Sequence, residues 1–518
     1  MKACKTSLLV LSFLLCAAPQ LLWAAHTPKI TTLISQLPKG AEILAVSPDY
    51  TKIFSIVTNR DTLEERLRES DKYPLDPQYH DLVRNGNIAE GLSTRVFLNE
   101  KEIGNYTGQL KTGTVVFSAD SMHVAYVIGL VRKNPWKYTE AVVIDGKMGK
   151  EYETTERLFI SADGKKIAFE AFSPSNASTS APLFASHLVV SNGTEIQTNC
   201  QYPVLVMAPN GDIAYKQCDP KNQAEAVVFN GKKGKTYDRV SAFLEKGNLS
   251  EDGRKMDILP AGVAYQAFDL KKMEVFAVIG EKEGEHFPVG HLEQFVASVD
   301  GKTTAYVLAP EREVDMGTNN PLSDGMSVIA NGKKVGSYLR VDDLRVTDGK
   351  VSFIAFNTVK PMMYIDGKIT TLGTVDAYDL EVLSDDTPLY RVYEDGGYNM
   401  YLGQKMISKG YFRLCLLNAQ RTDFACISVP NDTASKQFVI TKTRRSKNYS
   451  QVGSAIFSPD GKQMALTVKE RNKWSIIIGT KKMGTYDTVS LPFFSKDGKS
   501  ITYIATSGQK YTRVEQPL

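Results

Sequence analysis

From residue 40 onward the chain repeats itself, and that periodicity limits what it can fold into more than any other feature. One unit reads apolar strand, Ser-x-Asp-Gly, apolar strand. It runs through Ser47-Pro48-Asp49, Ser118-Ala119-Asp120, Ser161-Ala162-Asp163-Gly164 and Ala208-Pro209-Asn210-Gly211, then Ser298-Val299-Asp300-Gly301, Thr347-Asp348-Gly349 and Ser384-Asp385. The sharpest copies are Phe457-Ser458-Pro459-Asp460-Gly461-Lys462 and Phe494-Ser495-Lys496-Asp497-Gly498-Lys499, with degenerate ones near Asp252 and Asn418. The Asp or Asn positions recur mostly every 33 to 48 residues, with one gap of 71 between Asp49 and Asp120. Between these copies lies a second unit: Val142-Val143-Ile144-Asp145-Gly146-Lys147 followed by Tyr152. It returns at Asn230-Gly231-Lys232 with Tyr237-Asp238, at Asn331-Gly332-Lys333 with Tyr338, at Asp366-Gly367-Lys368, and at Ile478-Gly479 with Tyr486-Asp487. Asp-Gly and Asn-Gly between β-rich runs mark hairpins, because type I′ turns need positive φ at both central residues.

Two hairpins per period make four short antiparallel strands, the arithmetic of a propeller blade. The expected fold is all-β: a β-propeller of about eleven four-stranded units behind an N-terminal signal peptide. The last unit, from 490 to 518, lacks a clear fourth strand, and Pro28 to Ile34 is expected to supply it by pairing the two termini. Propellers usually hold four to eight blades. The units are therefore divided into two tandem rings, 26–288 (with an insertion at 59–93) and 289–518, the break falling in the least repeat-like stretch, Gly280 to Leu292. A single large ring is the alternative.

The Phe-Ser-Pro-Asp-Gly-Lys signature resembles the WD-like repeat of TolB-type β-propellers, and the Val-Val-x-Asp-Gly-Lys half resembles tandem propeller repeats of exported bacterial proteins. The likeness covers residues 41 to 518 through short motifs that specify fold better than function. It implies protein binding in the periplasm, or a gate before a hydrolase domain. Neither the α/β domain that precedes the repeats in TolB nor a hydrolase domain after them is found in this sequence.

The N-terminus and the cysteines point to export. Lys2 and Lys5 precede an apolar stretch from Leu8 to Leu15 and small residues at Ala17, Ala18, Ala24 and Ala25, the order of a signal peptide over 1–25. An uncleaved anchor is the competing reading, interrupted by Pro19 and Gln20. No later run of about 18 apolar residues occurs, so no transmembrane span is expected in the mature chain. Periplasmic or secreted placement follows, and with it disulfides. A hairpin turning at Gln420-Arg421 sets Cys415 opposite Cys426. Cys200 and Cys218 flank a turn at Asn210-Gly211, about three residues out of register. Both pairs are expected to be bonded.

The search for chemistry returns little. The 62 basic and 58 acidic residues leave no electrostatic footprint for nucleic acid. The six histidines form no metal spacing, and His286 and His291 read as surface-loop residues. No Gly-x-Ser-x-Gly elbow is present. The repeated Asp reads as a turn residue rather than a calcium ligand, since one carboxylate per turn falls short of six to eight oxygens. No catalytic residue, metal or cofactor is assigned.

Topology says where binding would lie. In a four-stranded blade the first and third turns leave one side, and these are the tight ones, carrying Lys147, Lys232, Lys233, Lys333, Lys368, Lys481 and Lys482. The second turns and the links between blades leave the other side and are wider. Candidate contacts there are Arg132, Lys133, Trp136 and Tyr138 in a loop from Val131 to Thr139, Arg312 and Asp315, and Arg471, Lys473 and Trp474. The Ser- and Pro-rich run from Ser173 to Pro182 lies on the same side, and the insertion, with helical character over Thr62 to Arg68, is expected to project beyond the first blade as a lid, a partner contact or a tolerated surface insertion. The function read from this is a non-enzymatic scaffold binding a protein or envelope component through its long-loop face. The rival is a propeller lyase or hydrolase with its site at a channel mouth.

Overall fold

The computed structural model describes residues 28–58, 93–133, 136–172, 187–200, 202–241, 257–260, 262–289, 292–298, 300–309, 325–357, 361–372, 377–394, 397–429 and 436–518. Every regular element among them is a β-strand, and every strand pair is antiparallel. The signal segment and the Thr62 to Arg68 stretch lie outside the described residues, as does the Asp252 copy.

Most of the described strands pair in chain order into four-stranded sheets, while Tyr411–Leu417, Phe424–Val429 and Val439–Ile440 form a three-stranded one. Thr154–Ile160, Ile167–Phe172, His187–Ser191 and Thr194–Gln197 form one such sheet, and Gln451–Phe457, Met464–Glu470, Lys473–Ile478 and Lys481–Tyr486 another. Near the N-terminus two units share the long strand Lys101–Leu110, whose far end, Gly108 to Leu110, pairs with Val124–Lys133. Second strands such as Ile167–Phe172 and Lys350–Phe356 are buried along almost their whole length, while fourth strands such as Thr194–Gln197 are largely exposed. A strand apolar on both faces needs cover on both faces. Neighbouring sheets supply it: Ala214, Val227 and Tyr237 of one sheet share a cluster with Val263, Tyr265 and Phe276 of the next. Repeated four-stranded antiparallel sheets packed face to face are a β-propeller-like fold.

The Ser-x-Asp-Gly turn explains its own sequence. In Ser458-Pro459-Asp460-Gly461 the Ser458 hydroxyl donates to Asp460 Oδ1 at 2.6 Å and accepts the Gln463 N–H at 2.9 Å. The Ser458 N–H donates to Gln463 O, Gly461 N–H to Ser458 O, and Lys462 N–H to Asp460 Oδ1. The same bonds recur at Ser161/Asp163, Ser298/Asp300 and Ser495/Asp497. Positive φ falls on the glycine, as at Gly461 (69°). Two copies differ. Asn418 occupies the serine position, its Oδ1 accepting the Thr422 and Asp423 N–H groups. Asp348-Gly349 closes a two-residue turn with Thr347 opposite Lys350. In the other hairpin both residues have positive φ, 49° at Asp145 and 80° at Gly146, the type I′ pattern.

Both disulfides are present, Cys200–Cys218 and Cys415–Cys426. Cys415 is the direct cross-strand partner of Cys426. The Cys200 pair closes because the chain before the hairpin departs from ladder register: the Cys218 N–H reaches back to Thr198 O. At the C-terminus Ser500–Ser507 and Lys510–Pro517 take their fourth strand from Lys29–Ile34, with Ile30 opposite Val514.

Contacts group the chain into two compact units, Pro38–Val382 with Asp386–Lys409, and Met1–Leu37 with Leu383–Asp385 and Gly410–Leu518. The stretch from Gly280 to Leu292 contributes the regular strand Lys282–Pro288. Residue 288 falls inside the longer unit, where Phe287 shares a cluster with Phe295 and Tyr306 of the following sheet.

Candidate binding faces

In the regular four-stranded sheets the first-to-second and third-to-fourth connections are the tight turns, and the second-to-third connection leaves the opposite end; in one sheet residues 242–256 instead fall between Arg239–Ser241 and Asp257–Leu259, both of which pair with Gly262–Asp269. Residues 59–92 join Ile53–Thr58 to Ser93–Leu98, 173–186 join Ile167–Phe172 to His187–Ser191, and 309–325 join Thr304–Leu308 to Met326–Ala330. Each is a second-to-third connection. Arg312 and Asp315 lie within the third of them, outside the described residues.

The stretch from Val131 to Thr139 is not the loop expected. Val124–Lys133 and Trp136–Ile144 continue the ladder to Lys133 opposite Trp136, so Arg132, Lys133 and Trp136 sit near the tip of a long hairpin. Alternating apolar and β-branched residues let the ladder run on where a short sheet was expected. The side chains of these three residues are outside the described set. Tyr138 is described and engaged: its hydroxyl donates to Glu140 Oε1 at 2.9 Å. Glu140 is buried, and its Oε2 also accepts the Thr155 N–H (2.7 Å), the Thr155 hydroxyl and Lys111 Nζ. A carboxylate this deep is tolerable because every bond is charge-assisted and one partner is a cation. Burial together with the Glu140 charge and hydrogen bond pushes the Tyr138 hydroxyl above its ordinary value.

Arg471, Lys473 and Trp474 lie at a two-residue connection, Arg471 and Asn472 both having positive φ. Lys473 Nζ is ion-paired with Asp487. The Trp474 ring lies beside Gly453, where a Cβ would fall 3.0 Å from it, and Lys469 Nζ stands 5.9 Å from the ring centroid. Lys473 and Trp474 thus engage groups beyond their own strand, Tyr138 binds Glu140 on its own strand, and Arg471 is exposed at a turn.

Sequence reasoning did not single out the blade-junction carboxylates. Glu225 Oε2 accepts the Val240 N–H at 2.5 Å while its Oε1 pairs with Lys216. Glu170 Oε1 accepts the Leu205 N–H at 2.6 Å. Each reaches the first strand of the next sheet, or the segment leading into it. Burial raises the Glu170 carboxyl above its ordinary range, against the Leu205 N–H and Arg157, which lower it. A single Glu at a strand edge carries no sequence mark of this role. His286 is a strand residue stacked on Phe276 at 3.9 Å with Nδ1 2.8 Å from Glu274, not a loop residue. His291 is outside the described residues.

On the tight-turn side, the longer unit holds a groove of about 420 Å³ lined by Met363, Ile365, Asp366, Asp386, Pro388 and Gln404 among others.

No protein-family model and no curated protein matches the chain. Among solved structures it is similar to one described as the eukaryotic initiation factor, at 14% identity over 76% of this chain and 89% of that one, with a TM-score of 0.35. It is also similar to the acylaminoacyl peptidase of Pyrococcus horikoshii, at 15% over 67% of this chain and 56% of that one, and to the Dos1 propeller, at 10% over 70% of this chain and 92% of that one. The TM-score is 0.25 for both. These likenesses are too low to bear on function, and the blade pattern rests on the strand pairing itself.

Proposed function

We propose that the protein is an exported, TolB-like β-propeller of the bacterial envelope, a non-enzymatic scaffold that binds a protein or envelope component through its wide connections. The observation that carries this reading is topological: 59–92, 173–186 and 309–325 are all second-to-third connections, while the first-to-second and third-to-fourth connections of the same sheets are turns of a few residues. Variable connections on a rigid scaffold are where binding concentrates. The two disulfides support an oxidising compartment. Arg312, Asp315, Arg132, Lys133, Trp136 and Arg471 are the contact residues of this proposal.

The test replaces 59–92, 173–186 and 310–324 by short turns, one at a time, in cells that export the protein, with photo-crosslinking at Arg471 and Arg312. The reading expects discrete crosslinked species that disappear in at least one replacement which still folds. Identical crosslinks in every replacement would contradict it. The division into rings is tested separately. Two tandem rings require 26–288 and 289–518 to fold when expressed alone, whereas a single large ring, which neither half can close, predicts that neither folds alone.

A further inference from the structure

Charge is spread unevenly along the chain. Residues 436–518 hold 15 basic and 5 acidic residues, a net charge of +10, whereas residues 1–435 hold 47 and 53, a net charge of −6. Such asymmetry in an otherwise balanced chain points to an anionic partner for the basic part. Residues 436–518 all lie in one compact unit. Part of their charge belongs to the fold: lysines beside the tight turns, such as Lys462, Lys481 and Lys499, have counterparts in other repeats at Lys165, Lys232 and Lys302. The charge at the opposite ends, where second strands pass to third, does not repeat. In two earlier sheets the stretches 218–225 and 269–274 carry three cations and four carboxylates. The equivalent stretches 470–473 and 507–510 carry Arg471, Lys473 and Lys510 against Glu470 alone. Lys436, Lys447 and Lys469 join them at the same ends. Lys436 precedes Gln437, which bridges to Tyr449, and the Ser450 N–H donates to Lys469 O. Glu470 is matched by Lys447 at 3.1 Å and by Lys482, and Asp487 by Lys473. Among the described residues Lys436, Lys469, Arg471 and Lys510 make no ion pair. Lys436, Arg471 and Lys510 are exposed.

We infer that these ends form a cationic face that adsorbs to an anionic phospholipid surface. The inference rests on the reading of these ends as the binding side and names the envelope component that the last three sheets would meet. Those sheets pack face to face: Ala425 and Ile427 of the first lie against Leu466 and Val468 of the second, and Ala465 and Ile476 of the second against Ile501 and Tyr503 of the third. Packed sheets stand about 10 Å apart, so the four unpaired cations are spread over about 20 Å. A planar array of headgroups meets all four at once. An acidic peptide would have to be ordered across three sheet ends, and none of the exposed large apolar side chains lies there to anchor it. For the same reason the adsorption is electrostatic and weakens as salt rises. Each cation near an anionic surface contributes about fivefold in binding.

The test floats the full mature chain with vesicles of phosphatidylcholine, alone or mixed equally with phosphatidylglycerol. The chain is expected to bind the anionic vesicles and not the neutral ones, and to lose at least about tenfold in binding between about 50 and about 300 mM salt. Lys436→Gln with Arg471→Asn and Lys510→Gln should lose about fivefold per cation with the unfolding temperature unchanged; asparagine tolerates the positive φ of Arg471. Lys462→Gln with Lys481→Gln and Lys496→Gln removes equal charge from the opposite ends, beyond a Debye length at about 100 mM salt, and should change binding by less than about twofold. No binding of anionic vesicles at low salt, equal binding of neutral ones, equal losses in the two triple variants, or release of the chain from vesicles by polyglutamate at equal charge would each overturn the lipid surface, the last assigning an acidic protein segment instead. If crosslinks at the wide connections persist through such a result, the binding side stands and only the lipid occupant falls.

Discussion

At the scale of single residues, the buried serines of the turns matter more than the aspartates that make the motif visible. Ser458 is buried and holds both the Asp460 carboxylate and the Gln463 N–H, so Ser458→Ala leaves a donor without its partner. The expected loss is about 1–3 kcal/mol, read as a lower unfolding temperature, with Ser458→Thr retaining part of it. The turn carboxylates also have a pH signature. Hydrogen bonds from the serine hydroxyl and then from a backbone N–H hold Asp120, Asp163, Asp300, Asp460 and Asp497 below the usual range. A lowered folded-state pKa gives stability that is present above the unfolded value and lost as pH falls through the folded one. Glu170 has the opposite sign. Its raised value makes the buried carboxyl best tolerated at acid pH, and its contribution is lost as pH rises through the folded pKa. Glu170→Gln should therefore gain stability relative to wild type between pH 4 and pH 7, measured by thermal unfolding of both proteins; a constant difference would contradict the raised value.

At the scale of strands and turns, much was legible in the sequence because hairpins announce themselves locally. Asp-Gly and Ser-x-Asp-Gly each fix a backbone reversal within a few residues, and the register of Cys415 with Cys426 followed from the turn between them. What failed to show was set by partners distant in sequence. The Val131 to Thr139 segment reads as a loop by its Arg, Lys and Pro content, yet cross-strand pairing carries the ladder to its tip. Trp474 and Lys473 look like free contacts, whereas Gly453 and Asp487 engage them. Tyr237 was visible as a repeat mark, but its role comes from Glu283 on another sheet. Tyr237→Phe should cost about 0.5–1.5 kcal/mol, with Glu283 and Lys235 left as a surface pair. Replacing both Cys415 and Cys426 by alanine should lower stability by about 2–3 kcal/mol, as removal of a short cross-link does. Thermal unfolding with and without reductant reads this directly: the wild type should shift more under reductant than the double variant, which keeps only the Cys200–Cys218 bond.

At the scale of the whole molecule, the long connections leave the sheets at one end because chain order and sheet order coincide. That coincidence breaks once, at the last sheet, where Lys29–Ile34 becomes the fourth strand beside Lys510–Pro517. Ends held by strand pairing remove two open edges that would otherwise template association. The claim that most needs an experiment is this pairing, since it joins residues far apart in sequence and fixes how the repeat series ends. Thr31 stands directly opposite Arg513, and directly opposed strand residues have Cβ atoms about 4.5–5.5 Å apart. In the full mature chain, Thr31→Cys with Arg513→Cys should form an intramolecular disulfide under mild oxidation, seen as a linked peptide by mass spectrometry. Absence of that bond, with both thiols free and the protein folded, would contradict the closure of the last sheet by the first strand.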